Sequence, residues 1–398
     1  MLELLIALIL GICLGIFTGL IPGIHTNLIS IFLISSLGFL LKIAPQEAII
    51  VLIVSMGLTN TFVDAIPSIY LGAPSEETSL SVLPGHKMLL EGKGHEAIIY
   101  TVIGSSIAVI LFLFLAPIFF FVIPLVEDFF GKMMAFFLIW ACIFLVGREK
   151  ESKSKALIIF ILAGFLGIAS TNLNINQPLL PLLTGLFGTS TLIYSISSNS
   201  EIPPQQTKEI KINWKSIRKP TIATTITSPI CSFLPGMGAS QSAIIGSEIM
   251  GEMKPKSFLV LIGSTNTLVL AVSFLILYLT GKKRTGLAGA ISEITKINFS
   301  QLLLICGTII ITAIISIFVT IKLSKGFARF VEKVNYEKLS KIIIIFLIFV
   351  ILLISGFTGV LVLLTSTILG LSASYMNVRK GFLMGCLMIP TILFYLPF

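Results

Sequence analysis

From Leu4 to Leu41 the chain contains no Asp, Glu, Lys or Arg, and the stretch is broken near its middle by Pro22-Gly23. A run of this kind has few physical outcomes. About 20 apolar residues cross the hydrocarbon of a bilayer as a helix, whereas a barrel strand needs about half as many and alternates in polarity. Comparable runs follow at 48–70, 97–126, 133–147, 156–173, 178–198, 220–250, 257–280, 299–321, 342–373 and 381–398. Composition agrees: 56% of the 398 residues are hydrophobic, 11% are charged, and the mean hydropathy is +1.05. The expected fold is an all-α polytopic membrane protein with about 10–12 membrane segments. The 342–373 run is too long for one straight crossing, and Gly356-Phe357-Thr358-Gly359 is the place where it should break.

The Pro22-Gly23 break matters because proline removes a backbone donor, and hydrocarbon offers no water to satisfy what is freed. Irregular backbone at membrane depth survives only where protein or a water-filled cavity receives it. The same break returns in Leu234-Pro235-Gly236-Met237-Gly238-Ala239-Ser240. Two further stretches recur in the same order. Met56-Gly57-Leu58-Thr59-Asn60-Thr61 is echoed by Ile262-Gly263-Ser264-Thr265-Asn266-Thr267, and Gly164-Phe165-Leu166-Gly167 by Gly356-Phe357-Thr358-Gly359. The chain therefore reads as two structural repeats, 1–198 and 220–398, each with a broken or re-entrant helix, joined by a polar linker at 199–219. Paired broken segments at corresponding positions mark the binding site of a transporter. The charges leave both a parallel and an inverted relation of the halves open.

The net charge of +9 comes from 27 Lys and Arg that sit almost wholly between apolar runs. That distribution suits cytoplasmic loops facing anionic lipid, not nucleic acid. It places 148–155 and 199–219 in the cytoplasm. The 281–296 and 322–341 segments are both basic although one span separates them. Both cannot be cytoplasmic unless 299–321 re-enters; the more basic 322–341 is the better cytoplasmic candidate, which puts Lys282-Lys283-Arg284 outside or in a cavity, and the charges leave the orientation open. The cysteines, Cys13, Cys142, Cys231, Cys306 and Cys386, have no metal or redox spacing. His86 and His95 fall in a polar stretch at 72–96 with Glu76, Glu77, Glu91 and Glu96 and are expected to be solvated, with no metal-binding spacing. No nucleotide loop, nucleophile elbow or zincin motif occurs, so the chain does not read as an enzyme.

The candidate substrate site is built from the breaks and the polar triplets. It comprises Pro22, Gly23, His25, Thr26 and Asn27, then Thr59, Asn60 and Thr61, then Pro235, Gly236, Gly238 and Ser240, then Thr265, Asn266 and Thr267. Half-helix N-termini suit a carboxylate or phosphate, and freed carbonyls suit Na⁺. Asp64 lies one turn past the first triplet; an intramembrane carboxylate is costly and reads as the ion-coupling residue.

Gly15-x-x-x-Gly19-x-x-Pro22-Gly23 resembles the opening of the large permease subunit of the tripartite tricarboxylate transporters, the TctA family. So do Leu71-Gly72-Ala73-Pro74, Pro84-Gly85-His86-Lys87-Met88, Glu91-Gly92-Lys93-Gly94-His95-Glu96-Ala97 and Leu234-Pro235-Gly236-x-Gly238. Ala73 stands where the family carries glycine beside the proline, Gly281-Lys282-Lys283-Arg284-Thr285-Gly286 replaces another Gly-x-Pro-Gly turn, and the chain is short for a member. The resemblance implies a prokaryotic cell-membrane protein working with a small membrane subunit and an extracytoplasmic solute-binding protein. The paired triplets are also similar in site logic to the Ser-Asn-Thr signatures of divalent-anion/sodium symporters. The function expected is a secondary active permease for a small organic anion, a carboxylate, coupled to Na⁺ or H⁺. No cofactor is expected beyond Na⁺ as coupling ion, and a homodimer is compatible with the chain. The alternative is a translocase for a lipid-linked phosphate, with Lys282-Lys283-Arg284 beside its groove.

Overall fold

The computed structural model describes residues 2–21, 33, 37–73, 78–147, 153–197, 202–207, 210, 212–233, 238–251, 253–378 and 380–396. Every regular element among them is helical. The first half holds α1 (Leu2–Leu20), α2 (Leu37–Ile43), α3 (Gln46–Val63), α4 (Ala65–Tyr70), α5 (Val82–Leu90), α6 (Gly94–Gly147), α7 (Lys153–Asn172) and α8 (Leu179–Ser197). The second holds α9 (Lys215–Ser232), α10 (Ala239–Met250), α11 (Pro255–Thr280), α12 (Gly286–Ile294), α13 (Phe299–Lys333), α14 (Tyr336–Tyr375) and α15 (Gly385–Tyr395). Eight helices among the described residues are long and apolar enough to cross a membrane, and the segments Leu138–Gly147 and Lys380–Tyr395 are shorter apolar helices. The chain is an integral multi-pass membrane protein.

Lipid and protein faces separate cleanly on α1. Leu5, Ile6, Ile9, Leu10 and Phe17 are exposed, while Ala7, Gly11, Gly15, Thr18 and Gly19 are buried against α3. Gly11, Gly15 and Gly19 recur every fourth residue, so they form one stripe along the helix. A Cβ at Gly15 would sit 2.5 Å from the Met56 carbonyl oxygen and 2.6 Å from Thr59 Cβ. Small residues let membrane helices approach backbone to backbone, since lipid tails provide no hydrophobic drive for association. At the centre runs α11, buried along its whole apolar length and packed on α6 and α9. In α14 the helix breaks where expected, with Gly356 at φ 69° and ψ −168°.

The halves exchange partners reciprocally. In the first half α1 packs on α3, and in the second α9 packs on α11; α6 packs on α11, and α13 packs on α3. Likewise α7 lies against α15, while α14 lies against α8. Direction is also informative. Tyr70 at the end of α4 lies within reach of Gly94, and Lys256 at the start of α11 is ion-paired with Glu96. Helices α3–α4 and α11, which carry the matching triplets, therefore run in opposite senses.

The α9–α10 pair doubles back on itself. Thr227 Oγ1 and Ser228 Oγ meet Ser242 Oγ at 2.9 and 3.1 Å, across the described ends at Phe233 and Gly238. Pro235-Gly236 and Pro22-Gly23, with His25, Thr26 and Asn27, lie outside the described residues.

One expectation changes, and one basic segment proves to be folded. The described part of the 72–96 stretch, 72–73 and 78–96, is not a solvated loop: α5 and the start of α6 are packed inside, and His86 and His95 are buried at 4% and 2% exposure. Their polar groups are met by protein, with His86 Nε2 3.2 Å from Ser195 Oγ and His95 Nδ1 2.8 Å from Ser324 Oγ. The 281–296 segment likewise folds, as α12 with Leu287, Ala288 and Ile291 buried. It lies at the far end of α11 from Lys256, about 39 Å along the helix axis.

The linker is clamped at the other end. Gln205 donates from Nε2 to Leu89 O at 3.0 Å and accepts from Gly94 N at 2.9 Å, and its own backbone N–H donates to Glu332. It thereby ties the turn before α6 to the end of α13. Gln205→Ala leaves the Gly94 N–H and the Leu89 carbonyl without these partners, at a cost of about 1–3 kcal/mol. The expected result is faster protease cleavage within 202–207 in the purified protein, with the helical content unchanged by circular dichroism.

Candidate functional site

Asp64 occupies the turn between α3 and α4. Pro67 has no N–H to give the carbonyl four residues back, Val63, so the helix cannot run through this point unbroken. The break places the Asp64 carboxylate, 5% exposed, against α11. Asn266 Nδ2 donates to Asp64 Oδ2 at 2.8 Å. One turn earlier, Thr61 Oγ1 and Thr267 Oγ1 lie 3.0 Å apart, joining the last residues of the two triplets.

Neighbouring helices complete the node. Asn60 Nδ2 donates to Thr18 Oγ1 at 3.0 Å, and that hydroxyl donates onward to Gly15 O at 3.2 Å. Ser316 Oγ donates to Thr59 Oγ1 at 3.1 Å. Thr265 Oγ1 turns back to Ile262 O at 3.1 Å, and the preceding Ser264 meets Thr224 of α9 at 2.5 Å. Helices α1, α3, α9, α11 and α13 thus share one polar network in an apolar bundle.

Of the residues expected from sequence, Thr59, Asn60, Thr61, Asp64, Thr265, Asn266 and Thr267 fall in this network. Gly238 and Ser240 are carried by α10, where Gly238 N donates to Gln241 Oε1 at 2.9 Å and Ser240 is buried. Sequence reasoning missed Thr18 and Ser316. Thr18 sits between the stripe glycines Gly15 and Gly19. Ser316 belongs to a ladder, Thr308, Thr312, Ser316, Thr320 and Ser324, at strict spacing of four along the buried face of α13. That period was legible in the sequence. The ladder ends at Ser324, which bonds His95 and also lies 3.2 Å from Tyr70 Oη.

The described groups at this node are one carboxylate, hydroxyls within a turn of it, and two amides that present Nδ2, Asn266 toward Asp64 and Asn60 toward Thr18. A buried carboxylate with hydroxyl oxygens nearby suits a hard cation or a proton. A second polar patch lies beyond α4. His86, on α5, is desolvated, which holds its imidazole well down at about 4; its hydrogen bond to the Ile69 backbone opposes this and the charge of Lys380 adds to it. Its imidazole is therefore neutral at physiological pH.

The sequence profile of the tripartite tricarboxylate transporter TctA family matches residues 5–385. An uncharacterized protein of Methanocaldococcus jannaschii is 33% identical over 406 aligned positions, covering 98% of this chain and 99% of that one. No solved structure matches. A profile that spans nearly every helix of the bundle, with the buried node at its centre, leaves one conclusion: the chain belongs to the tripartite tricarboxylate transporter TctA family.

Proposed function

We propose that this chain is the permease of a secondary active carboxylate transporter, coupled to Na⁺ or H⁺ through Asp64. The observation that carries the reading is the meeting of the two triplets, Thr61 on Thr267 and Asn266 on Asp64. Each triplet comes from one half, the halves pack reciprocally, and α3 and α11 run antiparallel, which supports an inverted repeat with its site at the interface. From the sequence we assign the substrate contacts to Pro22-Gly23 and Pro235-Gly236, which lie outside the described residues, and to Gly238 and Ser240 beside the second pair. The family match favours this reading over a translocase for a lipid-linked phosphate. The tripartite name implies partner subunits, and we assign a small membrane subunit and a solute-binding protein to that role, in a prokaryotic cell membrane.

The test is uptake of labelled citrate and succinate in proteoliposomes holding the chain with its partner subunits, with and without an inward Na⁺ or proton gradient. Gradient-dependent uptake is expected. Asn60→Ala and Asn266→Ala should each abolish it while leaving insertion and elution as a single species intact. Normal uptake in both variants sinks the site assignment.

A further inference from the structure

Lys380 is a cation that the Asp64 network does not use. It begins a 3₁₀ turn, Lys380–Met384, leading into α15, and its side chain reaches inward to α8. Its Nζ donates to Thr191 Oγ1 at 2.6 Å and lies 3.4 Å from Ser190 Oγ. Both hydroxyls are buried and already donate, Thr191 to Phe187 O and Ser190 to Leu186 O. They therefore act as acceptors that fix the ammonium in place. Neutral acceptors do not cancel its charge, and an ammonium has a further N–H to give. The ion pairs described elsewhere, Lys93–Glu91, Lys256–Glu96, Lys283–Glu293 and Lys341–Glu337, match lysine with carboxylate. The described partners of Lys380 are hydroxyls alone.

The surroundings are built rather than incidental. Thr184–Thr189 of α8 is π-helical, a rare geometry that is frequent at functional sites. It delivers Thr189 Oγ1 to Thr367 Oγ1 of α14 at 2.6 Å, directly before Ser190. On the same turn of α14, Ser366 Oγ is buried with no hydrogen-bond partner among the described residues. On the neighbouring turn of α8, Ser195 Oγ lies 3.2 Å from His86 Nε2 of α5.

An organic anion in a low-dielectric bundle needs an opposite charge, and Asp64, itself an anion, does not supply it. We propose that Lys380, positioned by Ser190 and Thr191, is the counter-charge that receives a carboxylate group of the transported anion. The proposal rests on the permease reading. It divides the work by sign: Asp64 takes the coupling cation, and Lys380 takes the substrate.

The test is binding to the purified full-length chain in lipid nanodiscs, by calorimetry and thermal shift, with citrate, succinate and inorganic phosphate as probes. Wild type is expected to bind a carboxylate. Lys380→Gln should weaken that binding at least ~30-fold, as expected for loss of one partner of a buried charge pair, with Lys380→Arg closer to wild type. The thermal shift given by Na⁺ should survive in Lys380→Gln, which reports a folded protein with an intact cation site. If Lys380→Gln does not fold, Thr191→Val, which keeps the charge but frees it from its anchor, should weaken carboxylate binding several-fold. Wild-type affinity in Lys380→Gln, or in Thr191→Val where that variant stands in, overturns the proposal. Lys380-dependent binding of phosphate in place of the carboxylates overturns the carboxylate assignment. Wild type that binds none of the probes removes the permease reading itself, and this inference with it.

Discussion

Asp64→Asn is expected to abolish cation-coupled uptake while leaving the fold unchanged. The replacing amide has nearly the same shape, and its oxygen can still accept from Asn266 Nδ2, the 2.8 Å bond of the native node. What disappears is the negative charge. Removing one member of a buried charge interaction costs about 3 kcal/mol or more, which corresponds to at least ~100-fold in apparent cation affinity. Asp64→Leu separates the contributions: it removes charge and acceptor together and strands the Asn266 amide, adding about 1–3 kcal/mol of destabilisation. The two variants should therefore share the transport defect and differ in thermal stability. Measured uptake in Asp64→Asn with an unchanged dependence on the Na⁺ or proton gradient would remove Asp64 from the coupling role.

In the sequence, the internal echo brings the two triplets together, and Asp64 stands one turn past the first. The individual contacts, Asn266 on Asp64 and Thr61 on Thr267, come from the structure. Thr61 and Thr267 occupy equivalent places in their triplets and do touch. Thr18 and Ser316 were harder, since neither belongs to a polar cluster in sequence. Each is polar at one position of a stripe read along a helix, Gly11-Gly15-Gly19 in one case and the four-residue hydroxyl ladder of α13 in the other.

The 72–96 stretch misled for a physical reason. Composition reports whether groups are polar, not whether they are satisfied by water or by protein. Thr78 meets Ser68 of α4 at 2.5 Å, His86 meets Ser195, and His95 meets Ser324, so these polar groups are satisfied by protein and can be buried, while Lys87 and Glu91 keep to the surface. The Gly356 break needed no such context. A run of that length must bend, and glycine is the residue that tolerates a positive φ.

The second large effect concerns packing that holds the node in register. Gly263→Val is expected to destabilise the bundle by about 3 kcal/mol or more. A Cβ at Gly263 would collide with the Thr101 carbonyl, and one at Gly104 would collide with the Val260 carbonyl and lie 2.9 Å from Ser264 N. Each glycine thus faces backbone of the other helix, and backbone cannot rotate aside as a side chain can. The contact is secured by Ser105 Oγ, which donates to Gly263 O at 3.1 Å. Forcing α6 and α11 apart would break that bond and shift Thr265, Asn266 and Thr267, which follow within one turn, away from Asp64 and Thr61. The expected readout is a fall of about 3–4 °C or more in the apparent unfolding temperature of the detergent-purified protein, together with lost uptake. Gly307→Ala on α13, where a Cβ meets nothing within 4 Å, is the control and should leave both quantities near wild type. A Gly263→Val protein with native thermal stability would show that α6 and α11 do not cross at this pair. The contrast with Asp64→Asn separates two ways of losing transport: one removes a charge from an intact bundle, and the other moves an intact Asn266 away from the charge it serves.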